Sequence, residues 1–269
     1  MADDSAQPRA SWPVPVIIAL LVISGLFLLT REDGDTKPVS ETKAPVAEKV
    51  NLKKLKMSST HTRTPAAPKD KRRDKVPAGA VVHPKRLLPV YDAPDGKPFA
   101  KIGPKQFGEA WFPVIARSGD WVQVMLPSKP NGSTGWLRGS ELREARSSYL
   151  VKIHLGSRSL ELWQDNSLVG TWTVAVGAEG TPTPTGRTFV LGQIIDDKQP
   201  FSPVILPLGS HSDTLDNYGG GKGTVALHGW TNPSVFGQAI SHGCVRVPDD
   251  ALDLLRTVPT GTSVMVDKS

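Results

Sequence analysis

The residues of this chain best suited to chemistry are a lone cysteine and a histidine upstream of it. Cys244 is the only cysteine among 269 residues, and it lies in the motif SHGCVR at 241–246. His228 is followed by Gly229 and lies sixteen positions before that cysteine. A free thiol has a pKa of about 8.5, so it needs an imidazole or similar group to activate it at neutral pH. The pattern predicts Cys244 as a nucleophile and His228 as its general base; the alternative is a small buried hydrophobe.

The C-terminal part of the chain has the patterns of strands that would position these residues. YLVKIHL and SLELWQD, from residue 149 onward, alternate polar and apolar residues around a Gly-Ser-Arg turn, as half-buried strands do. Residues 248–258 place apolar residues at helical spacing behind two aspartates, and SVMVD follows at 263–267. We therefore expect a mainly β domain over 149–267 with one short helix and a closing strand.

Residues 149–266 resemble the catalytic domain of the L,D-transpeptidases, also called YkuD-like, which remodel bacterial peptidoglycan. The resemblance rests on TPTG at 183–186, LHG at 227–229 and SHGCVR at 241–246. It implies a β-sandwich without cofactor or metal, and peptidoglycan stem peptides as donor and acceptor. It also implies that Cys244 attacks the carbonyl of the third stem residue and releases D-alanine. The resulting thioester is then resolved by a side-chain amine of another stem.

The resemblance assigns supporting roles to the neighbours of the catalytic pair. The third member of the family's triad is a backbone carbonyl, and Gly229 is placed to supply it to His228. The backbone N–H groups of Gly243 and Cys244 are candidate donors to the oxyanion of the tetrahedral intermediate. His242 either donates to that oxyanion or to substrate, or only supports the loop.

The candidate substrate-binding residues are Arg246, Ser241, Trp230 and Tyr218. Arg246 lies two residues past the nucleophile, on the same side of an extended chain, and can pair bidentately with a stem carboxylate; an ordinary ion pair is the alternative. Many family members have Asn in place of Arg246 and Thr in place of Trp230, which leaves substrate preference open. Trp230 is either an apolar wall of the cleft or a core residue. The stretch 200–223, which contains Tyr218, is long and glycine-rich, as lids often are.

Two other kinds of site match the sequence less well. His228, His242 and Cys244 are all zinc-ligand types, but no second cysteine or closely spaced histidine pair supports a zinc site. GGGKG at 219–223 lacks the Ser or Thr and the first glycine of a phosphate loop, which argues against nucleotide binding. The remaining histidines are expected to be surface or structural residues: His61, His83, His154 and His211.

Residues 12–30 predict a membrane-spanning helix. The eighteen residues from Trp12 to Leu29 carry no charge, close to the ~20 needed to cross a bilayer. A cleaved secretory signal has a shorter apolar region, so an uncleaved anchor is favoured. Residues 1–11 are then a cytoplasmic tail, and the rest of the chain lies on the cell-wall side, where a single cysteine cannot form an internal disulfide.

The positive charge of the chain is concentrated in residues 31–86. The whole chain carries +6, whereas this stretch holds fifteen Lys/Arg against seven Asp/Glu, an excess of eight. A nearly neutral folded part argues against nucleic-acid binding. Six prolines and few large apolar residues predict a disordered basic linker, which can contact anionic lipid or wall polymer.

Residues 87–145 predict a small all-β module of short strands separated by turns. GDWVQV at 119–124 and TGWL at 134–137 flank an Asn-Gly pair, which is a hairpin signal. These segments resemble the bacterial Src-homology-type small β-barrels found beside wall enzymes. Such barrels bind wall peptides or orient the neighbouring domain; a spacer without a ligand is the alternative.

Together these patterns predict a membrane-anchored, extracytoplasmic L,D-transpeptidase with a small β-barrel before its catalytic domain. If water resolves the thioester in place of an amine, the enzyme is an L,D-carboxypeptidase. A catalytically silent, anchored wall-binding protein is the alternative of a different class.

Overall fold

The computed structural model of the protein describes residues 50–196, 198–217 and 222–269. The predicted cytoplasmic tail and membrane anchor, residues 1–30, lie outside these ranges, as do residues 31–49 of the predicted linker and Tyr218. Within the described ranges, no helix is both long and apolar enough to cross a bilayer.

The first eight strands of the described chain form one sheet. They are β1 (Lys56–Met57), β2 (Ala80–Pro84), β3 (Leu88–Tyr91), β4 (Pro98–Ile102), β5 (Phe112–Ser118), β6 (Trp121–Met125), β7 (Thr134–Arg138) and β8 (Leu142–Arg146). Their order in the sheet is β1-β4-β3-β7-β6-β5-β2-β8. Alternate residues of β3 and β4 are buried, so apolar side chains such as Val90 and Ile102 pack in a core beneath the sheet. The predicted all-β character of this region is confirmed.

Strand β2 shows that this sheet begins before the predicted boundary at residue 87. Its apolar pair Val81 and Val82 is buried, and the strand pairs antiparallel with both β5 and β8. The sequence pattern did not indicate this strand, because the neighbouring prolines and basic residues lower the average apolar content of the stretch 31–86.

Residues 58–76, which we call the strap, are ordered by hydrogen bonds and not by apolar burial. Thr64 N–H donates to the Lys129 carbonyl at 2.9 Å, and Lys129 N–H donates to the Thr62 carbonyl at 2.9 Å. The Asp70 carboxylate pairs with both Arg187 Nε and Arg187 Nη2, and both side chains are only 4% exposed. The prediction of a disordered linker is therefore wrong for residues 50–86.

The remaining elements build the C-terminal domain. They are β9 (Tyr149–His154), β10 (Ser159–Gln164), β11 (Ser167–Thr173), β12 (Val176–Gly177), β13 (Gly186–Phe189), β14 (Ile194–Ile195), β15 (Val204–His211), β16 (Thr224–Gly229), β17 (Ala239–Ser241), β18 (Val245–Val247), α1 (Asp249–Leu255) and β19 (Ser263–Asp267). Three 3₁₀ turns complete the described part, at Leu52–Lys54, Gly139–Glu141 and Pro233–Val235.

Two sheets of this domain pack face to face. One has the order β11-β10-β9-β19-β13 and the other β14-β15-β16-β18, while β12 pairs with β17 beside them. Ile153 and Leu162 from the first sheet join Leu206 and Leu227 from the second in one apolar core, and Leu255 of α1 packs into it. The predicted mainly β domain with one short helix is confirmed.

The C-terminal domain contributes side chains to the core of the eight-stranded sheet. Phe189 of β13 is fully buried there and meets Phe112 edge-on, with ring centroids 6.0 Å apart. Leu191 joins the same core. The eight-stranded sheet therefore packs directly against the strands that lead to the catalytic motifs.

The stretch 200–223 is not the continuous loop that its polar and glycine-rich sequence predicts. Val204–His211 forms β15, which is paired with β16 and almost entirely buried. A run of apolar residues, VILPL, carries this strand through the core, so the lid prediction is wrong for these eight residues.

Candidate active site

Strands β16 and β18 bring the predicted base and nucleophile to one face of their sheet. The strands run parallel, with His228 opposite Arg246 and Leu227 opposite Val245. Leu227 and Val245 point into the core, so His228 and Arg246 face the other way. Cys244 lies two residues before Arg246 and therefore shares its face, as a diagonal neighbour of His228. All three side chains line one cavity.

The His228 imidazole is held by the residue that follows it. Its Nδ1 lies 2.7 Å from the Gly229 carbonyl oxygen, and because a carbonyl only accepts, Nδ1 carries the proton. Burial lowers the pKa of His228 to about 4, the Gly229 carbonyl opposes that shift, and the positive charge of Arg246 adds to it. The ring is therefore neutral at pH 7, with the lone pair on Nε2, which is the form that a general base requires.

The Gly229 peptide is itself fixed by a buried serine that sequence reasoning missed. Gly229 N–H donates to Ser202 Oγ at 2.8 Å, and Ser202 Oγ donates to the Val204 carbonyl at 2.5 Å. Ser202 is 2% exposed. The hydroxyl thus orients the peptide whose carbonyl holds His228, and nothing in the sequence around Ser202 marks it for that role.

The turn that precedes Cys244 is built by Ser241 and Gly243. Gly243 has φ +112°, a region that residues with a Cβ seldom adopt. Its N–H donates to Ser241 Oγ at 3.1 Å, and Ser241 Oγ donates to the Cys244 carbonyl at 2.5 Å. Ser241 is 2% exposed, shapes the turn and also lines the cavity, and its role as a substrate contact stays a prediction. The role of the Gly243 N–H in an oxyanion hole stays a prediction.

The TPTPTG segment, residues 181–186, forms hydrogen bonds to this turn. Thr183 Oγ1 donates to the Gly243 carbonyl at 2.9 Å and accepts from Gly177 N–H at 2.9 Å. Thr181 Oγ1 donates to the Ser241 carbonyl at 2.9 Å. The motif therefore has a structural role, because the hydroxyls of Thr181 and Thr183 fix the carbonyls on either side of His242.

Aromatic rings and Arg246 form the wall around His228. The Arg246 guanidinium lies 3.6 Å from the centroid of the Trp230 ring, a cation–π contact. The Phe201 ring meets His228 edge-on at 5.2 Å and Trp230 at 5.7 Å. Trp230 is therefore a wall of the cavity, one of its two predicted alternatives. Phe201 is a second residue that the sequence did not indicate.

The cavity that contains these groups has a volume of about 630 Å³. Six of the predicted site residues line it: Cys244, His228, His242, Ser241, Arg246 and Trp230. The remaining wall is mostly apolar, with Lys222 as a second basic residue and no Asp or Glu among the described lining residues. Its basic side chains, without a described carboxylate among them, suit a ligand that carries negative charge.

Three further predicted features have different outcomes. His242 is exposed at the cavity, in contrast to the buried His228. Tyr218 lies outside the described residues. In the described ranges, no three His, Cys, Asp or Glu side chains form a group that could hold a metal ion.

The cavity also receives residues from outside the C-terminal domain. His61 of the strap and Phe107 of the loop between β4 and β5 line it. His61 was expected to be a surface or structural histidine, because its sequence neighbours carry no site pattern. The place of His61 at the cavity is seen only in the folded chain, because it depends on the contact between the strap and β16.

The C-terminal domain matches known proteins along most of its length. Residues 148–266 match the sequence profile of the L,D-transpeptidase catalytic domain, YkuD. Among curated proteins, a Bacillus subtilis protein described as L,D-transpeptidase YkuD is 31% identical over 121 residues, which is 45% of this chain and 66% of the relative. Its Bacillus licheniformis counterpart is 34% identical over 119 residues, 44% of this chain and 65% of the relative. The chain thus spans just under two thirds of the length of these relatives.

Solved structures of the same description are also similar. An L,D-transpeptidase from Mycobacterium tuberculosis is 16% identical, covers 52% of this chain and 74% of its own, and superposes with a TM-score of 0.39. An L,D-transpeptidase from Mycobacterium smegmatis is 12% identical, covers 55% and 90%, and has a TM-score of 0.38.

The C-terminal domain is thus a β-sandwich with a cavity that Cys244 and His228 both line. Residues 148–266 belong to the YkuD family of L,D-transpeptidase catalytic domains. The match begins at residue 148, so the resemblance of the preceding sheet to Src-homology-type barrels stays a prediction.

Proposed function

We propose that this protein is an L,D-transpeptidase that cross-links peptidoglycan stems through a thioester on Cys244. The observation that supports this most is the contact between His228 Nδ1 and the Gly229 carbonyl, which leaves Nε2 as the acceptor on the face shared with Cys244. A neutral imidazole beside a thiol is the arrangement that nucleophilic acyl transfer requires.

The first half of the reaction acylates the cysteine. His228 Nε2 takes the proton as Cys244 Sγ attacks the carbonyl of the third stem residue. The candidate donors to the oxyanion are the N–H groups of Gly243 and Cys244, together with His242. Collapse of the tetrahedral intermediate breaks the peptide bond, and D-alanine leaves with the proton that His228 returns to its amine.

The second half transfers the acyl group. A side-chain amine of a second stem attacks the thioester while His228 takes its proton. As the C–S bond breaks, His228 returns that proton to the sulfur, which restores the thiol and the neutral imidazole. The low pKa of His228, about 4, means that the imidazole is unprotonated when each nucleophile arrives.

Arg246 is the candidate partner of a stem carboxylate. Its guanidinium is stacked on Trp230, which fixes the plane of a group whose geometry matches a carboxylate. Trp230 and Phe201 add an apolar wall next to this guanidinium.

We further propose that residues 12–30 anchor the protein in the cytoplasmic membrane, with the catalytic domain on the wall side. The uncharged run of eighteen residues supports this. Removing residues 1–30 should release the protein from the membrane fraction of cells; a truncated protein that still sediments with membranes would contradict the anchor.

The reaction is tested with purified tetrapeptide stems and mass spectrometry. Transpeptidation gives free D-alanine and a cross-linked dimer, and both products are lost in Cys244→Ala. Tripeptide and D-alanine without dimer would identify an L,D-carboxypeptidase instead. A protein that forms no adduct on Cys244 with stems or with a carbapenem would be a silent wall-binding protein.

A further inference from the structure

The cavity has a basic residue at each end, with Cys244 between them. Extending the register of β16 and β18 by one residue places Cys244 level with Ala226. Arg246, opposite His228, is then two residues away in one direction, and Thr224 is two residues away in the other. Each separation is about 7 Å along the strands, or two extended peptide residues. The Arg246 end belongs to the catalytic domain alone.

The opposite end is completed by the strap. Thr224 Oγ1 donates to Thr60 Oγ1 at 2.8 Å, and Thr60 is 1% exposed. Thr60 Oγ1 lies 3.2 Å from His61 Nδ1. This chain of contacts ties the imidazole of His61 to the first residue of β16 and directs its Nε2 edge away from the hydroxyls. His61 is thereby fixed at the cavity, although it lies in a segment remote in sequence from the catalytic motifs.

The charges around this end are mostly positive. Lys222 lines the cavity together with His61. Burial lowers the pKa of His61, and the positive charges of Lys222 and Lys129 lower it further, so both ammonium groups act on the same ring. Lys129 is paired with Asp216, whereas no carboxylate appears among the described residues that line the cavity. An anionic ligand at this end would therefore meet a positive potential.

An apolar surface lies next to the basic groups. Phe107 lines the cavity, is 41% exposed, and has φ +48°, an uncommon conformation for an aromatic residue. Its neighbour Gln106 holds the strap, because Gln106 Nε2 donates to the Ser58 carbonyl at 2.5 Å. The loop and the strap thus hold each other in place at the edge of the cavity.

We propose that His61, Lys222 and Phe107 form a subsite for a second carboxylate of the peptide substrate, on the opposite side of Cys244 from Arg246. This rests on the proposed acyl transfer, since it assumes a peptide whose reacting carbonyl lies at Cys244. Lys222 and His61 Nε2 bind the carboxylate, and the Phe107 ring packs against the adjacent backbone. The strap and the loop between β4 and β5 then contribute directly to substrate selection.

The subsite is tested by binding to the Cys244→Ala protein, which keeps the cavity but cannot react. Two synthetic tetrapeptides ending in D-alanine are compared, one with a free carboxylate on its second residue and one with a carboxamide there. We expect the carboxylate peptide to bind about ten-fold more tightly, the effect of hydrogen bonds to a charged group. Adding His61→Gln and Lys222→Gln should abolish that preference, whereas the matched changes His154→Gln and Lys268→Gln, outside the cavity, should leave it intact.

The outcomes separate the subsite from the reaction. Equal binding of the two peptides, or a preference that survives the His61 and Lys222 changes in a normally folded protein, overturns the subsite. Acylation of Cys244 is followed in parallel by mass spectrometry with the parental protein. Acylation without a carboxylate preference overturns the subsite alone, and a preference without acylation supports the subsite while overturning the transfer reaction.

Discussion

His228 donates its Nδ1 proton to the carbonyl of Gly229, the next residue in the chain, at 2.7 Å. A carbonyl orients an imidazole as a carboxylate would, but it has no net charge to stabilise an imidazolium. Burial therefore dominates, and the pKa of His228 falls from 6.5 to about 4. The base is fixed in the required tautomer and kept neutral by its surroundings.

This low pKa predicts that the protein loses stability as the pH falls from about 6.5 to 4. In that window the unfolded chain binds a proton at His228 and the folded chain does not, so protonation favours unfolding. The contribution is on the order of 3 kcal/mol and is fully present above pH 6.5. The free energy of unfolding from urea titrations at several pH values measures it.

The control for this prediction is His228→Gln, which removes the titrating group. The difference in the free energy of unfolding between parent and variant should shrink as the pH falls below 6.5. Burial also lowers the pKa of His211, and this residue contributes to the pH dependence of stability equally in both proteins. In the parent, kcat/KM should decrease on the acid side of its pH profile at about pH 4 to 5. An acid limb centred at pH 6.5 would show that His228 is solvated, contrary to the structure.

Replacing Ser202 should weaken the base without touching substrate. Ser202→Ala leaves the buried Gly229 N–H without its acceptor, which costs about 1–3 kcal/mol of stability. Because the same peptide holds His228, we expect the rate of Cys244 acylation to fall about ten-fold and the acid limb of the pH profile to shift.

The matched control is Ser167→Ala, at an exposed strand end. It should change neither stability nor rate. If Ser202→Ala lowers stability while the pH profile and the acylation rate stay as in the parent, Ser202 supports the fold only and does not position the base.

Thr183 should control the geometry of the cysteine turn. Thr183→Val keeps the shape of the side chain but removes the bonds to the Gly243 carbonyl and the Gly177 N–H, both 2.9 Å long. The turn should loosen, and acylation of Cys244 by a carbapenem should slow about ten-fold, the effect of about 1.4 kcal/mol. Thr183→Ser, which keeps the hydroxyl, should retain most of the rate; equal rates for both variants would argue against this role.

The sequence predicted the residues proposed to react or to bind substrate more completely than the residues that hold them in position. Cys244, His228 and Arg246 share a face because residue types and strand alternation dictate it, and both are readable from the chain. Ser202 and His61 act through contacts between segments distant in sequence, which no local pattern encodes. The strap was missed for a related reason: it is stabilised by hydrogen bonds and one buried ion pair, whereas the compositional argument considers only apolar burial.

The Asp70–Arg187 pair is expected to hold the strap against the catalytic domain. Both side chains are 4% exposed, and Arg187 lies four residues after Thr183, which supports the cysteine turn. Asp70→Asn leaves a buried guanidinium without its counter-charge and should lower the free energy of unfolding by about 3–5 kcal/mol. Thermal and urea denaturation measure the loss.

A second acidic residue of the strap provides the comparison. Asp74 pairs with Lys75 at 3.0 Å, but their side chains are 69% and 70% exposed, so Asp74→Asn should change stability by less than about 1 kcal/mol. Removing both charges of the buried pair, with Asp70→Asn and Arg187→Met, should cost less than the sum of the two single changes, because no charge is left unpaired. Equal effects of Asp70→Asn and Asp74→Asn would mean that the strap is held by its main-chain bonds alone.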